Sequence, residues 1–245
     1  MSASAQSAAD SELFTAYLAL SHIITVPASS PLAPLPGEAP EESPRYYVAR
    51  ATWGLTHTLI SPDLPPTLRE DLAALAPERA LANPGAISRL FAQRHVVSLN
   101  VWLGRTARFP EDLDPALTAG VAALPSGIDV YGEAAPARRD TPSAPAAPLA
   151  APNFISRQFA IIVDGLVVAT CESSRESGVA AEAWVRTLAA YRGRGYATRV
   201  TAAWALDARQ RGKEPFYSHH RENLASAGVA RALRLIPFLE DVGYL

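Results

Sequence analysis

The sequence is short of cysteine and lysine, and it contains no long hydrophobic run. A single cysteine, Cys171, excludes an internal disulfide and any zinc cluster built on cysteine. No apolar run reaches the roughly 18 residues of a membrane span, and the N-terminus lacks the basic stretch of a signal peptide. The 22 basic residues are balanced by 24 acidic ones, so the basic excess typical of nucleic-acid binding is missing. These absences predict a soluble, cytoplasmic protein that binds neither nucleic acid nor a membrane.

Enough apolar material is nevertheless present for a core. Of the 245 residues, 49% are hydrophobic, which suffices for one large domain or two small ones. Lys213 is the only lysine, and the other basic residues are arginines. Together with the abundance of alanine, this bias is typical of a GC-rich, bacterial genome and does not by itself indicate an arginine-specific binding function.

Proline divides the chain, because 19 of its 21 prolines lie at or before Pro152. The composition predicts an N-terminal helix and proline-rich segment over 1–44, an accessory part of the fold over 45–133, and a Pro/Ala-rich linker over 134–153. Periodicity and turn residues within the first two segments predict a helix over 11–23, a strand pair over 45–59, helices over 66–75 and 84–94, and a strand over 97–101.

The last segment, 154–245, has the clearest pattern. Asp164-Gly165 between two β-branched runs predicts a hairpin. The pattern continues with a turn over 173–178, a strand over 182–188, a helix over 195–211, a strand over 215–218, a helix over 223–233 and a strand over 236–245. Strands interleaved with helices predict an α/β fold with helices on the faces of a sheet.

The junction between the third of these strands and its helix carries the main chemical signal. It reads Arg192-Gly-Arg-Gly-Tyr-Ala197. Small residues at such a turn let backbone N–H groups approach a ligand, and a helix N-terminus adds about half a positive charge. Arg192 and Arg194 add further positive charge. The segment therefore predicts a phosphate or pyrophosphate cradle that is neither a Walker A loop nor a Rossmann fingerprint.

This junction resembles motif A of the GNAT superfamily of acyl-CoA-dependent N-acyltransferases, [Gln/Arg]-x-x-Gly-x-[Gly/Ala], through Arg192, Gly195 and Ala197. The helix that Asn223 leads, with the strand after it, resembles motif B. The resemblance covers residues 154–245. It implies a mixed, splayed sheet flanked by helices, to which the N-terminal part of the chain adds an accessory region.

The resemblance also implies acetyl-CoA as cosubstrate, with no metal. It places pantetheine along the strand at Val185, Thr187 and Leu188. It places the pyrophosphate in the loop and first helical turn, and further cofactor contacts on the second helix; the residues concerned are Arg192, Gly193, Arg194, Gly195, Tyr196, Ala197, Thr198, Asn223 and Ser226.

Direct attack of an amine on a thioester needs a base for the amine and an acid for the thiolate. The family usually has a tyrosine acid seven residues after the motif B asparagine, where this chain has Ala230. We predict Glu182 as the base and Tyr217 as the substitute acid. Glu182 as a solvent-facing strand residue, Tyr217 as a packed core residue and Glu172 as an alternative base stay open.

Three other features of the sequence are not predicted to bind a metal or to act as a nucleophile. His219-His220 is expected at the rim of the acceptor site without a metal, since no third ligand has a recognisable spacing. Cys171 is expected to be a core residue. The tryptophans are expected to anchor the core; they are Trp53, Trp102, Trp184 and Trp204.

The resulting hypothesis is an acetyl-CoA-dependent N-acetyltransferase acting on a primary amine of a small molecule or peptide. The alternative is a non-catalytic acyl-CoA-binding or regulatory module, and a third reading is an interaction protein that has lost the cofactor. Acceptor identity and oligomeric state are left open by the sequence.

Overall fold

The computed structural model describes residues 3–21, 44–96, 101–124 and 157–244. The described helices are α1 (Ala3–Ser21), α2 (Pro66–Ala73), α3 (Pro77–Ala82), α4 (Pro84–Gln93), α5 (Tyr196–Gln210) and α6 (Leu224–Ala232). The strands are β1 (Tyr46–Ala51), β2 (Thr56–Ile60), β3 (Val101–Arg108), β4 (Ala122–Leu124), β5 (Gln158–Val163), β6 (Leu166–Glu176), β7 (Ala180–Thr187), β8 (Glu214–His220) and β9 (Ile236–Tyr244). The predicted class, a mixed α/β sheet flanked by helices, is confirmed.

The chain forms two compact units. The first contains residues 1–107, 218–224 and 237–245, and the second contains 108–217 and 225–236. In the first unit, β2, β1, β9 and β3 are neighbours in that order, and β1 pairs antiparallel with both β2 and β9. Its core joins α2, α3 and α4 to this sheet through Leu68, Leu72, Leu81, Ile87, Phe91, Tyr46, Val48, Val242 and Tyr244.

The second unit is built on the strand order β8-β7-β6-β5-β4. The chain reverses tightly between β5 and β6 at Asp164-Gly165, where both residues have positive φ. Helix α5 packs on one face of these strands, because its buried side chains Val200, Trp204 and Ala208 join the core cluster of this unit. The same cluster includes Leu233, which directly follows α6, and Val229 and Ala230 of α6 pack against it while partly buried.

Strands β7 and β8 run parallel but pair at only three positions. The register joins Ala180 to Glu214, Ala181 to Pro215 and Glu182 to Phe216. The rest of β7, up to Thr187, is held on its other side by β6. Among the described residues, the β8 side of β7 has no paired strand beyond Glu182, and a splayed sheet requires such a divergence.

The order of elements in the last segment is confirmed, with small changes at their ends. β6 runs to Glu176, so the turn predicted over 173–178 is wrong for most of its length; a bulge between Ser173 and Arg175 lets the strand continue past those polar residues. The predicted helix over 195–211 is observed as α5, with Gly195 at its N-cap and Gly212, at φ +73°, directly after its C-cap.

Prediction is weaker before residue 154. Helix α1 begins at Ala3, well before the predicted start at residue 11, and β4 and the short α3 were not predicted; most of β3 likewise lies beyond the strand predicted over 97–101. The strand expected over 97–101 falls on residues that, apart from Val101, lie outside the described part, as does the linker over 134–153. Within the described residues, no helix is both long and apolar enough to cross a membrane.

Candidate functional site

The predicted phosphate-binding segment lies in the second unit, between β7 and α5. A single 3-10 turn, Ala189–Tyr191, follows β7, and the chain then enters α5 through Arg192, Gly193, Arg194 and Gly195. All four of these residues are exposed. The sequence-predicted loop is therefore an open surface at the N-terminus of a 15-residue helix.

Two glycines give this loop its shape. Gly193 has φ +74° and Gly195 has φ +75°, a left-handed conformation that other L-residues adopt at a cost of about 1–2 kcal/mol. A Cβ added to either glycine would meet no atom within 4 Å. The glycines therefore serve the backbone conformation, and the space beside them is open to a ligand.

The N-terminus of α5 is electropositive for a backbone reason. Gly195 provides no side-chain cap, and no acidic residue lies in the first turn. The first turn of an α-helix has N–H groups without intrahelical acceptors, here at Tyr196, Ala197 and Thr198, and these carry the positive end of the helix dipole. An anion is the ligand that such an end binds best.

Two arginines lie in this loop, and a third, Arg199, lies one turn into α5 with its guanidinium beside Gly120. Arg192 donates to the Thr187 carbonyl at 3.3 Å, and Arg194 donates to the Ala190 carbonyl at 3.4 Å. Arg199, one turn into α5, lies over the Tyr196 ring at 6.0 Å. None of the three forms an ion pair with a carboxylate among the described residues, so their charge adds to that of the helix.

The unpaired part of β7 leads directly to this loop. Val185 and Leu188 are half-buried and pack against the core cluster of the second unit. The Thr187 hydroxyl is buried and has no hydrogen-bond partner among the described residues. An unsatisfied hydroxyl beside an open strand edge is a group that a polar ligand could satisfy.

Glu182, the predicted base, lies on the face of β7 opposite to α5. Its side chain is only 5% exposed and forms an ion pair with Arg175 at 3.3 Å. The reading of Glu182 as a solvent-facing residue is therefore wrong. Glu172, the alternative base, lies on the neighbouring strand and contacts Arg186 at 3.5 Å.

Tyr217, the predicted acid, lies in the middle of β8 inside the core cluster and is 1% exposed. Burial raises its pKa to about 12; a hydrogen bond with Ser226 acts in the opposite direction, and the neighbouring Cys171 adds to the rise. Ser226, predicted as a cofactor contact, is thus a partner of Tyr217. Cys171 is fully buried, as expected for a core residue, and burial raises its pKa.

Three further predicted residues, Asn223, His219 and His220, belong to the first unit. Asn223 directly precedes α6, is exposed and belongs to the first unit. His219 is buried and His220 lies edge-on to Trp102, with ring centroids 5.5 Å apart. No cluster of three or more metal-ligating side chains occurs in the described ranges of the chain.

Sequence reasoning missed three residues of β7 and α5, namely Trp184, Arg186 and Arg199. The prediction that the tryptophans anchor the core is wrong for three of the four. Only Trp204 is buried, whereas Trp184 is 51% exposed and Trp53 and Trp102 are each 39% exposed. The strand alternation of Ala181, Ala183 and Val185 towards α5 could have shown that Trp184 and Arg186 face the other way. The spacing of four residues from Gly195 could have shown that Arg199 lies one turn into α5.

Comparison with known proteins adds a family likeness for the second unit. Residues 157–235 match a family model described as GNAT acetyltransferase, which is less than half of the chain. The likeness stated from the motifs is confirmed over that segment at the level of the family model. No curated protein matches the sequence.

Solved structures show more distant likenesses. An acetyltransferase from the GNAT family of Colwellia psychrerythraea shares 12% identity over 96% of both chains, with a TM-score of 0.45. A GCN5-related N-acetyltransferase-like protein from Streptococcus suis shares 15% over 65% of this chain and 68% of its own, with a TM-score of 0.41. A GNAT-family structure from Novosphingobium aromaticivorans shares 16%, with a TM-score of 0.39; the match spans 60% of this chain and 66% of that one, just under two thirds of its length. Sequence identities and TM-scores as low as these do not assign an activity to this chain.

Proposed function

We propose that the protein is an acetyl-CoA-dependent N-acetyltransferase that acetylates a primary amine. One observation carries the proposal: the open edge of β7 leads into a loop with two glycines and two arginines, and the helix N-terminus after it has no acidic residue in its first turn. That arrangement suits an extended ligand with an amide-containing arm and a pyrophosphate. The match of this segment to a GNAT acetyltransferase family model supports the same conclusion.

The residues present fit acetyl-CoA. Backbone N–H groups of Tyr196, Ala197 and Thr198 would hold the pyrophosphate, with Arg192 and Arg194 beside them. The β7 edge at Val185, Thr187 and Leu188 would hold the pantetheine arm. Ser226, on α6 in the second unit, stays a candidate contact.

Acetyl-CoA supplies an activated acetyl thioester, whose C–S bond breaks as the amine nitrogen forms the new C–N bond. The protein has to remove one proton from the amine and to support the departing thiolate. Glu182 is the proposed base, and the ion pair with Arg175 fixes its carboxylate in place. A hydroxyl of pKa about 12 is a weak acid towards a thiol of ordinary pKa, about 8.5, so Tyr217 would act chiefly as a hydrogen-bond donor to the sulfur.

Calorimetric titration of acetyl-CoA and CoA into the protein tests the cofactor half of this proposal. Both ligands are expected to bind, since they share the pyrophosphate. Absence of binding of either ligand would contradict the proposal. Acetyl transfer to a panel of primary amines, followed by mass spectrometry of the products, then tests catalysis.

Glu182→Gln is expected to lower kcat by about 100-fold, as loss of a general base does, with little change in acetyl-CoA affinity. Glu172→Gln is the matched control: it also removes a carboxylate paired with an arginine on the same face, and kcat should stay within a few-fold. The opposite ranking of the two variants would move the base to Glu172.

Tyr217→Phe is expected to lower kcat by about tenfold, because a hydrogen bond to the departing sulfur is lost while the ring remains. Tyr46→Phe is the control, since Tyr46 is another fully buried tyrosine whose pKa burial raises to about 12, and it lies in the first unit. Steady-state kinetics should show a loss for Tyr217→Phe alone. Equal losses in both variants would assign the effect to folding.

A non-catalytic acyl-CoA-binding module is the second candidate. Ala230 at the position of the usual acid, together with the weakly acidic Tyr217, favours it. Binding of acetyl-CoA without turnover on any amine would support this candidate and reject the enzyme.

A further inference from the structure

The face of β7 opposite to α5 carries an exposed aromatic surface that the proposed chemistry does not use. Side chains of β7 alternate, so Ala181, Ala183 and Val185 pack in the core under α5, and Trp184 and Arg186 lie on the other face. Among the described residues, Ala181 and Ala183 are buried on the α5 face, whereas the face of Trp184 offers exposed surface to an acceptor beside β7.

Trp184 and Arg186 form one unit. The Arg186 guanidinium lies 4.6 Å from the centroid of the Trp184 ring, which is the geometry of a cation–π contact. Its Nη2 also lies 3.5 Å from Glu172 Oε1, and the two side chains are only 20% and 21% exposed. Arg186 is thus fixed between an indole and a carboxylate, whereas 51% of Trp184 is open to solvent.

Each of the two carboxylates considered on this face already forms an ion pair with an arginine. Glu172 pairs with Arg186, and Glu182 pairs with Arg175. A substrate with several positive charges would therefore find no carboxylate without an arginine partner among these four residues. The indole also has one cation against it, which weakens its attraction for a second cation. An uncharged ring or other apolar group would instead bury the exposed indole surface at no electrostatic cost.

We infer that the acceptor is a monoamine carrying an aromatic or bulky apolar group, which binds against Trp184, and that Arg186 selects against polycationic amines. This inference rests on the proposed function, because it names the acceptor class of the same site. Trp184 would act on binding and Arg186 on specificity, so the two variants should have different effects.

Competition between 2-phenylethylamine and spermidine for acetyl-CoA, with both products measured by mass spectrometry, tests the inference. The wild type should prefer 2-phenylethylamine in kcat/KM by about tenfold or more. Trp184→Ala should raise the KM for 2-phenylethylamine about tenfold and leave kcat within a few-fold. Trp184→Phe should keep most of the affinity for 2-phenylethylamine. Arg186→Gln should shift the preference towards spermidine, because the ion pair of Arg186 with Glu172 and the cation beside the indole are both lost.

Preference of the wild type for spermidine, or a Trp184→Ala variant with unchanged KM, would overturn the inference. If neither amine is acetylated, calorimetric titration of each amine into the CoA-saturated protein separates the two proposals. Binding of 2-phenylethylamine that Trp184→Ala weakens would support the acceptor class and reject catalysis. Binding that does not depend on Trp184, or no binding, would overturn the acceptor class itself. Thermal unfolding of each variant confirms that it is folded.

Discussion

Gly195→Glu is expected to abolish binding of acetyl-CoA and CoA, that is, to weaken the affinity for each ligand by at least about 100-fold. The new carboxylate would lie at the N-terminus of α5, where the pyrophosphate is proposed to bind, and would replace attraction by repulsion. A Cβ at Gly195 meets no atom within 4 Å, so the fold accommodates the side chain. The left-handed backbone adds a strain of about 1–2 kcal/mol, which lowers stability without removing the site.

Gly212→Glu is the matched control for this prediction. Gly212 has φ +73°, a Cβ there also meets no atom within 4 Å, and it lies at the opposite end of the same helix. The two variants therefore carry the same charge change and similar backbone strain. Calorimetry should show normal affinity for Gly212→Glu and none for Gly195→Glu. Retained binding in Gly195→Glu would place the cofactor elsewhere.

Glu176→Gln is expected to lower the free energy of unfolding by about 3 kcal/mol, the largest effect that we expect of a single polar substitution. The Glu176 side chain is 5% exposed; it accepts from Ser173 at 2.8 Å, lies 3.0 Å from Lys213 Nζ and pairs with Arg211. Arg211 also donates to Asp207 at 2.8 Å. Loss of the carboxylate leaves two largely buried cations with reduced compensation and loosens the end of β6 from the end of α5.

Asp112→Asn provides the comparison for this stability effect. Asp112 and Arg234 form an ion pair at 3.5 Å, but their side chains are 77% and 68% exposed. Exposed pairs contribute about 0–1 kcal/mol, so urea unfolding at neutral pH should show little change for Asp112→Asn. Equal effects of the two substitutions would show that the Glu176 cluster adds no more than a surface pair.

Acid pH should reduce the difference between Glu176→Gln and the wild type. Burial alone would raise the pKa of Glu176, but hydrogen bonds from Ser173, Arg211 and Lys213 outweigh burial and lower it. A carboxyl whose pKa is lower in the folded state stabilises the protein above its unfolded pKa, about 4.3, and loses that contribution as the pH falls through the folded value. Urea unfolding from pH 7 down to pH 3 should show the gap closing below about pH 4; a constant gap would contradict the lowered pKa.

The sequence by itself determined the elements of the last segment. Asp164-Gly165, Gly195 and Gly212 mark a hairpin and both ends of α5, because these glycines and the aspartate adopt left-handed conformations that few residues tolerate. The loop from Arg192 to Ala197 was identified for the same local reason. The charge and backbone of this loop depend on residues adjacent in the chain, so no distant contact was needed to predict it.

Only the tertiary structure decided which side chains share a face. Glu176 forms ion pairs with Arg211 and Lys213. Tyr217 lies beside Ser226 and Cys171. No local sequence pattern specifies contacts at these sequence separations. The bulge after Ser173 let β6 continue where polar residues predicted a turn. The exposure of Trp184 also depends on tertiary packing. A large apolar residue is usually buried, but α5 packs on the opposite face of β7 and therefore does not cover Trp184.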